Sequence, residues 1–443
     1  MNYSMMNHVV NHLLDVDSYG CIFMYATNQD LTTAPRHIIR MTEPVDAELL
    51  REALKITLLR FPQMGLGLVR GEKQYQYRLL DKPPVVLPFE NHLSPYYIGS
   101  EDTNGYLFCC GYHEDTIILE YQHCTSDGRG FNEFIKCVLF YYLKLRGYAI
   151  ENDGSVRTLE TDFQPAENED GFIKLRQAEQ SDEHYIGEVP SFHLPEYDGQ
   201  EDEDEKTTEV TMPFSQVRRF VKQNRISPLT FLMTAICHAI YRTYYVGTNR
   251  QEAIVAEVPM DLRTYIHSPT VRFFVALLDL PFFFDYFKLP FVEACQKLSE
   301  FFDTQRALPH AAFWALKNAN RVFTSHQADM PIDEKEKMMR EQARAYIRRD
   351  SFILTNIGPF NIPISMERHI ADYGAILPCA HQPFGVLVSS YRDTLKVTIS
   401  QRDMRPDLID HLVKVLGEIG FRAQTHSYMF HPTRYDGSHL AKD

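Results

Sequence analysis

The chain has 443 residues, of which 44% are hydrophobic, 12% aromatic and 23% charged, an ordinary globular composition with aromatic surface enough for a large core and an apolar pocket. Its formal net charge of −14 disfavours a nucleic-acid partner, because phosphate backbones need a basic face, although a local basic patch can still hold one small phosphorylated ligand. Eight cysteines, none in a C-x-x-C pair, offer no disulfide or zinc framework, and neither a leader pattern nor a long apolar run appears, so we expect reduced thiols, no metal, no membrane span and a cytoplasmic protein.

The first half reads as α/β. Strands are predicted over 20–27 (GCIFMYAT) and 36–41 (RHIIRM). A helix follows over 45–61, where Val45, Leu49, Ala53, Ile56 and Leu59 recur at helical spacing. Strands are predicted at 74–80 and 105–112, and the turn His113-Glu114-Asp115 joins the second of these to a strand over 116–122 as a hairpin. A short polar loop, HCTSDG at 123–128, then leads into a helix over 130–145 with Phe131, Phe134, Ile135, Val138 and Leu139 on one side.

The acidic, turn-rich stretch 195–206 (PEYDGQEDEDEK) predicts a solvated linker, dividing a lobe at 1–195 from a lobe at 207–443. Beyond it come helices at 214–224 and 228–246, the latter with Ser227 as N-cap and Pro228 at the first helical position. A strand over 252–259 runs into the segment PMDLR, and another is predicted at 271–278. Helices over 291–306 and 333–349, strands over 351–356, 384–391 and 394–401, and a last helix from Pro406 complete the pattern. The turn Arg392-Asp393 makes a hairpin of the last two strands.

The segment that carries chemistry is HCTSDG, set where a strand ends and a helix begins, so its side chains can face a cleft from a rigid scaffold. Histidine is the side chain that accepts and returns a proton near neutrality, as an alcohol or amine requires when it attacks a thioester. Asp127 can orient the imidazole of His123 or turn away into a salt bridge, and Gly128 lets the backbone turn sharply before the helix. On the residues alone, His123 can equally be a hydrogen-bonded histidine at a strand end. Cys124, beside it, is a possible nucleophile or a packed small residue.

HCTSDG resembles the HxxxDG motif of the chloramphenicol acetyltransferase-like, CoA-dependent acyltransferase superfamily, and among its groups is most similar to the bacterial alcohol acetyltransferase-like proteins. The segments 43–64, ending in Arg60-Phe61-Pro62, 258–274 (VPMDLRTYIHSPTVRFF), 351–360 (SFILTNIGPF) and 389–420 resemble other segments of that group, in the same order. The resemblance implies two lobes, each a mixed, mostly antiparallel sheet flanked by helices, with a tunnel between them. It implies His123 as general base, and Asp127 pairing with Arg263 to fix the loop across the lobes. It also implies that Gly128 keeps the donor channel open, with Thr355, Asn356 or a backbone N–H as oxyanion donors. The co-substrate would be an acyl-CoA, with no permanently bound cofactor, and the acceptor a small alcohol or amine; an acyl carrier protein is the alternative donor. Gln122 stands where condensation domains usually carry a second histidine, and the DFGWG motif of the plant enzymes is absent, which disfavours both subgroups. A lobe pair in one chain can form its own site, so a monomer is expected, and a catalytically inactive binding protein on the same body is the competing reading.

Overall fold

Alternating apolar residues assemble the chain into two large sheets. The computed structural model describes residues 14–28, 32–184, 186, 189–193, 204–379, 382–402 and 407–441. In chain order its strands are β1 (Arg36–Met41), β2 (Leu66–Arg70), β3 (Tyr75–Leu79), β4 (Leu87–Pro88), β5 (Phe108–His113), β6 (Thr116–Tyr121), β7 (Glu205–Pro213), β8 (Ile254–Asp261), β9 (Val275–Phe282), β10 (Phe352–Pro359), β11 (Ile370–Ile376), β12 (Phe384–Tyr391), β13 (Thr394–Gln401) and β14 (Gln424–Phe430).

The first sheet has the order β11-β1-β6-β5-β4 and the second β14-β7-β13-β12-β10-β8-β9, while β2 and β3 pair alone. Both sheets are mixed and mostly antiparallel: only β4–β5, β10–β12 and β10–β8 run parallel among the described pairs. The chain is therefore α/β, with helices packed on two sheets. The β5–β6 hairpin turns at Glu114 and the β12–β13 hairpin at Arg392, both left-handed with φ of 50° and 51°. β11 lies beyond residue 207 yet pairs with β1, Arg36 opposite Ile376, so the first sheet draws on both halves of the chain.

The helix Gly128–Leu145 anchors the first half. Asp127 caps it, and Phe131, Phe134, Ile135, Val138 and Leu139 are fully buried beneath it. The Phe134 ring meets Phe61 edge-on at 5.9 Å, joining this helix to the one over Ala47–Arg60. In the second half, Ser227 caps the helix Pro228–Ile240 by accepting from the Thr230 N–H.

Several elements differ from the sequence reading, each for a physical reason. Residues 20–27 are not a strand but contain the helix Ile22–Ala26. Asp17 accepts from the N–H groups of Tyr19 and Gly20 and starts a turn, which the Ile22→Tyr19 and Phe23→Gly20 backbone bonds continue. Its apolar run is too short for periodicity to decide between helix and strand. The strand predicted at 271–278 begins at Val275, because the backbone N–H of Phe274 is committed to Asp127. Of the acidic stretch, 195–203 lie outside the described residues, as does Pro406, while Glu205 and Lys206 open β7. The helix Leu308–Gln327 and the strands β7, β11 and β14 had no counterpart in the reading. β14 is polar and largely exposed at a sheet edge, so it carries little hydrophobic signal. All eight cysteines are buried and unpaired, and no described helix is long and apolar enough to cross a membrane.

Candidate active site

A cavity of about 610 Å³ opens between the two halves. One wall comes from β1, β6 and the HCTSDG loop; the other comes from β8, β9, β10 and the helices Leu308–Gln327 and Ile332–Ile347. His123, Asp127, Gly128, Thr355 and Asn356 all line it.

His123 lies in the turn after β6. Its ring is held by Phe23 at 4.9 Å, Tyr121 at 5.0 Å and Phe273 at 6.0 Å. The Nδ1 atom lies 3.3 Å from the carbonyl oxygen of Ser126. A carbonyl only accepts, so Nδ1 carries the proton and Nε2 keeps its lone pair. No described residue bonds Nε2, and the ring borders the cavity. Burial lowers the His123 pKa to about 4, against the opposing pull of the Ser126 hydrogen bond and the Asp127 charge. The ring is thus neutral at physiological pH. The part of it left uncovered faces the cavity rather than bulk water.

Asp127 turns away from the imidazole. Its Oδ1 accepts from Gly130 N at 2.9 Å, and its Oδ2 accepts from Arg263 Nη2 and from Phe274 N, both at 2.8 Å. Arg263 is engaged further, donating from Nε to the Thr270 carbonyl at 2.6 Å, from Nη2 to the Arg272 carbonyl at 2.6 Å and from Nη1 to Asp261 Oδ1 at 2.9 Å. The Asp127–Arg263 ion pair that the resemblance implies is present, tying the loop of the first half to the segment after β8. Of the two options open for Asp127, the structure has the salt bridge. Orientation of His123 falls to the Ser126 carbonyl instead.

Gly128 was expected to supply a sharp turn, but its φ lies outside the left-handed region. An added Cβ there would sit 3.1 Å from Ile357 Cγ2, at the cavity wall. Thr355 and Asn356 lie on β10; the Asn356 Oδ1 accepts from Gly358 N at 2.9 Å, which leaves its amide N–H groups as donors. Cys124 is fully buried, is not on the cavity wall, and has its thiol pKa pushed up by desolvation, all against a nucleophile.

Two wall residues escaped the sequence reading. His37 on β1 binds Tyr373 Oη through Nδ1 at 2.9 Å, and Tyr373 Oη donates to Asn132 Oδ1 at 3.1 Å. The Nε2 of His37 is buried without a hydrogen-bond partner among the described residues, and burial followed by the nearby His123 lowers its pKa to about 3. Glu257 on β8 is the second, 5% exposed with Oε2 unpartnered among the described residues. Both are polar residues inside apolar strand patterns, RHIIRM and EAIVAEVP, and that interruption was the available signal.

Two sheets of this topology around a cleft that carries the 123–128 loop define a two-lobed α/β fold. Solved structures of the same fold superpose on nearly the whole chain. Polyketide synthase associated protein 5 from Mycobacterium tuberculosis is similar with a TM-score of 0.61 at 11% identity, over 91% of this chain and 97% of that one. The trichothecene 15-O-acetyltransferase of Fusarium sporotrichioides gives 0.57 at 10% identity, over 91% and 94%. The starter condensation domain of rhizomide synthetase, solved in complex with C8-CoA, gives 0.55 at 13% identity, over 89% and 90%. No family model matches the sequence, and no curated protein matches it.

Proposed function

We propose that this protein transfers an acyl group, acetyl in the simplest case, from a CoA thioester to the hydroxyl or amine of a small acceptor, with His123 as general base. The observation that carries this reading is the His123 ring: Nδ1–H fixed on the Ser126 carbonyl, and a free Nε2 lone pair at a cavity shared by both halves of the chain. That is the tautomer and placement a base needs. The acceptor donates its O–H or N–H to Nε2. As the proton moves to Nε2, the oxygen or nitrogen attacks the thioester carbonyl and forms a tetrahedral oxyanion. The Thr355 hydroxyl and the Asn356 amide are candidate donors to that oxyanion. The intermediate then expels the CoA thiolate, which takes the proton back from the imidazolium. No covalent acyl-enzyme is required.

Asp127 and Arg263 hold the loop and are positioning residues, while Gly128 keeps the donor side clear. A single chain supplies every one of these groups, so a monomer suffices, and eight buried free thiols fit a reducing compartment such as the cytoplasm. Acyl transfer from a carrier protein is the second reading, favoured by the likeness to a starter condensation domain.

The test is thiol release. Purified protein is mixed with acetyl-CoA or a longer acyl-CoA and a panel of alcohols and amines, and free CoA is titrated. Release that depends on the acceptor supports the reading. No acceptor-dependent release from any acyl-CoA, with turnover only on acyl-carrier protein, moves the donor to the carrier; none from either overturns it.

A further inference from the structure

The wall around Glu257 bears on what the acceptor is. Along β8, Glu257, Pro259 and Asp261 point to the cavity, and their partners on β9 include Leu277 and Val275, which line it too. Asp261 is taken by Arg263 and Arg129. Glu257 has no such partner. Its side chain is buried on the cavity wall near Tyr19 and Tyr346, and Oε2 accepts from nothing among the described residues.

The surrounding charges do not neutralise it. Asp279, opposite on β9, and Asp350 stand near Glu257, and the cation among them, Arg349, is 2.5 Å from Asp279 and 3.6 Å from Asp350. Arg349 is also stacked at 4.4 Å on the Tyr346 ring. Glu257, Asp279 and Asp350 thus gather around the Arg349 guanidinium, which hydrogen-bonds to Asp279. Burial and Asp279 raise the Glu257 pKa to about 7, with Arg349 opposing. Arg321, also on the cavity wall, lies over the Tyr346 ring at 5.5 Å. A buried carboxylate without a partner costs stability unless something completes it.

We propose that Glu257 is the specificity residue of the acceptor pocket, pairing with an ammonium group carried by the acceptor, so that the substrates are amine-bearing molecules rather than neutral alcohols. This rests on the acyl-transfer reading for the word acceptor, but the binding it describes is measured without turnover. The ammonium replaces the missing hydrogen-bond donor at Glu257, and Tyr19 and Tyr346 receive the apolar body attached to it.

The experiment is calorimetric titration with two probes of one shape, phenethylammonium and phenethyl alcohol, at pH 8, where Glu257 is ionised. The wild-type protein should bind the ammonium about tenfold or more tightly than the alcohol, as a charge-assisted hydrogen bond in a buried site provides. In Glu257→Gln that advantage should vanish. Equal binding of the two probes by the wild-type protein overturns the proposal, without need of any variant. So does an ammonium preference that survives in Glu257→Gln. The two readings fail separately. A Glu257-dependent ammonium preference in a protein that never releases CoA removes acyl transfer and leaves the cation site. Brisk transfer to neutral alcohols with no ammonium preference does the reverse.

Discussion

Asp127 and Glu257 are carboxylates on opposite walls of one cavity, 3% and 5% exposed, and the fold treats them in opposite ways. Asp127 receives a backbone N–H at each oxygen and a guanidinium as well. Glu257 receives nothing at Oε2 from the described residues. A carboxylate satisfied by its own chain is part of the scaffold; one left incomplete in a cavity is available to a ligand. The same distinction separates the atoms of His123. Nδ1 is spent on holding the ring, and Nε2 is left for chemistry.

The comparison can be broken by stability measurements. Asp127→Ala strands Arg263 in the interior and removes a helix cap, and should cost about 3–5 kcal/mol in chemical denaturation. A loss below 1 kcal/mol would show that the pair is not structural. Glu257→Gln should move the other way, gaining about 1–3 kcal/mol at pH 8, because an ionised buried carboxylate is replaced by a neutral amide. That gain should shrink as the pH falls from 7 toward 4.5 and the carboxyl takes up its proton. Equal losses in both variants would erase the contrast.

Gly128→Ala places a methyl group 3.1 Å from Ile357 and narrows the cavity beside His123. It should destabilise by about 1–2 kcal/mol at most and raise the KM for the acyl donor more than it lowers kcat. A change confined to kcat would move Gly128 from channel to chemistry.

Acidification sharpens the reading of the histidines. His123, His92, His238 and His326 are lowered to about 4 and His37 to about 3, chiefly by burial. The unfolded chain binds protons near pH 6.5 that the folded chain refuses, so this stability is whole above 6.5 and lost as the pH falls toward 4. Asp17 and Glu257, both raised to about 7, work in the other direction above 4.5. Stability should therefore peak at about pH 6–7 and fall on the acid side, where a flat profile down to pH 4 would contradict the buried neutral histidines. For the same reason kcat/KM should show an acid limb with a midpoint near 4, not near 6.5.

What the sequence disclosed was local. The HCTSDG loop, the capped helix after it, the Ser227 cap and both hairpins are written in consecutive residues, and the structure contains them. What it withheld depends on packing. The Ile22–Ala26 helix is started by an Asp17 turn that no apolar pattern encodes. β7 is rich in threonine and follows an acidic run, so its burial between β13 and β14 does not show in composition. His37 comes near His123, and Glu257 onto the cavity wall, only when β1 and β8 are brought in from both halves. The Asp127–Arg263 pair was reached through family resemblance, since 136 residues separate its members.

The most direct test of the central claim is single-turnover acyl transfer by His123→Ala, on an acceptor the wild-type protein uses, with folding checked by circular dichroism. The account predicts an intact fold and a rate lower by about 100- to 10,000-fold. A folded variant that transfers acyl groups at nearly the wild-type rate would contradict it.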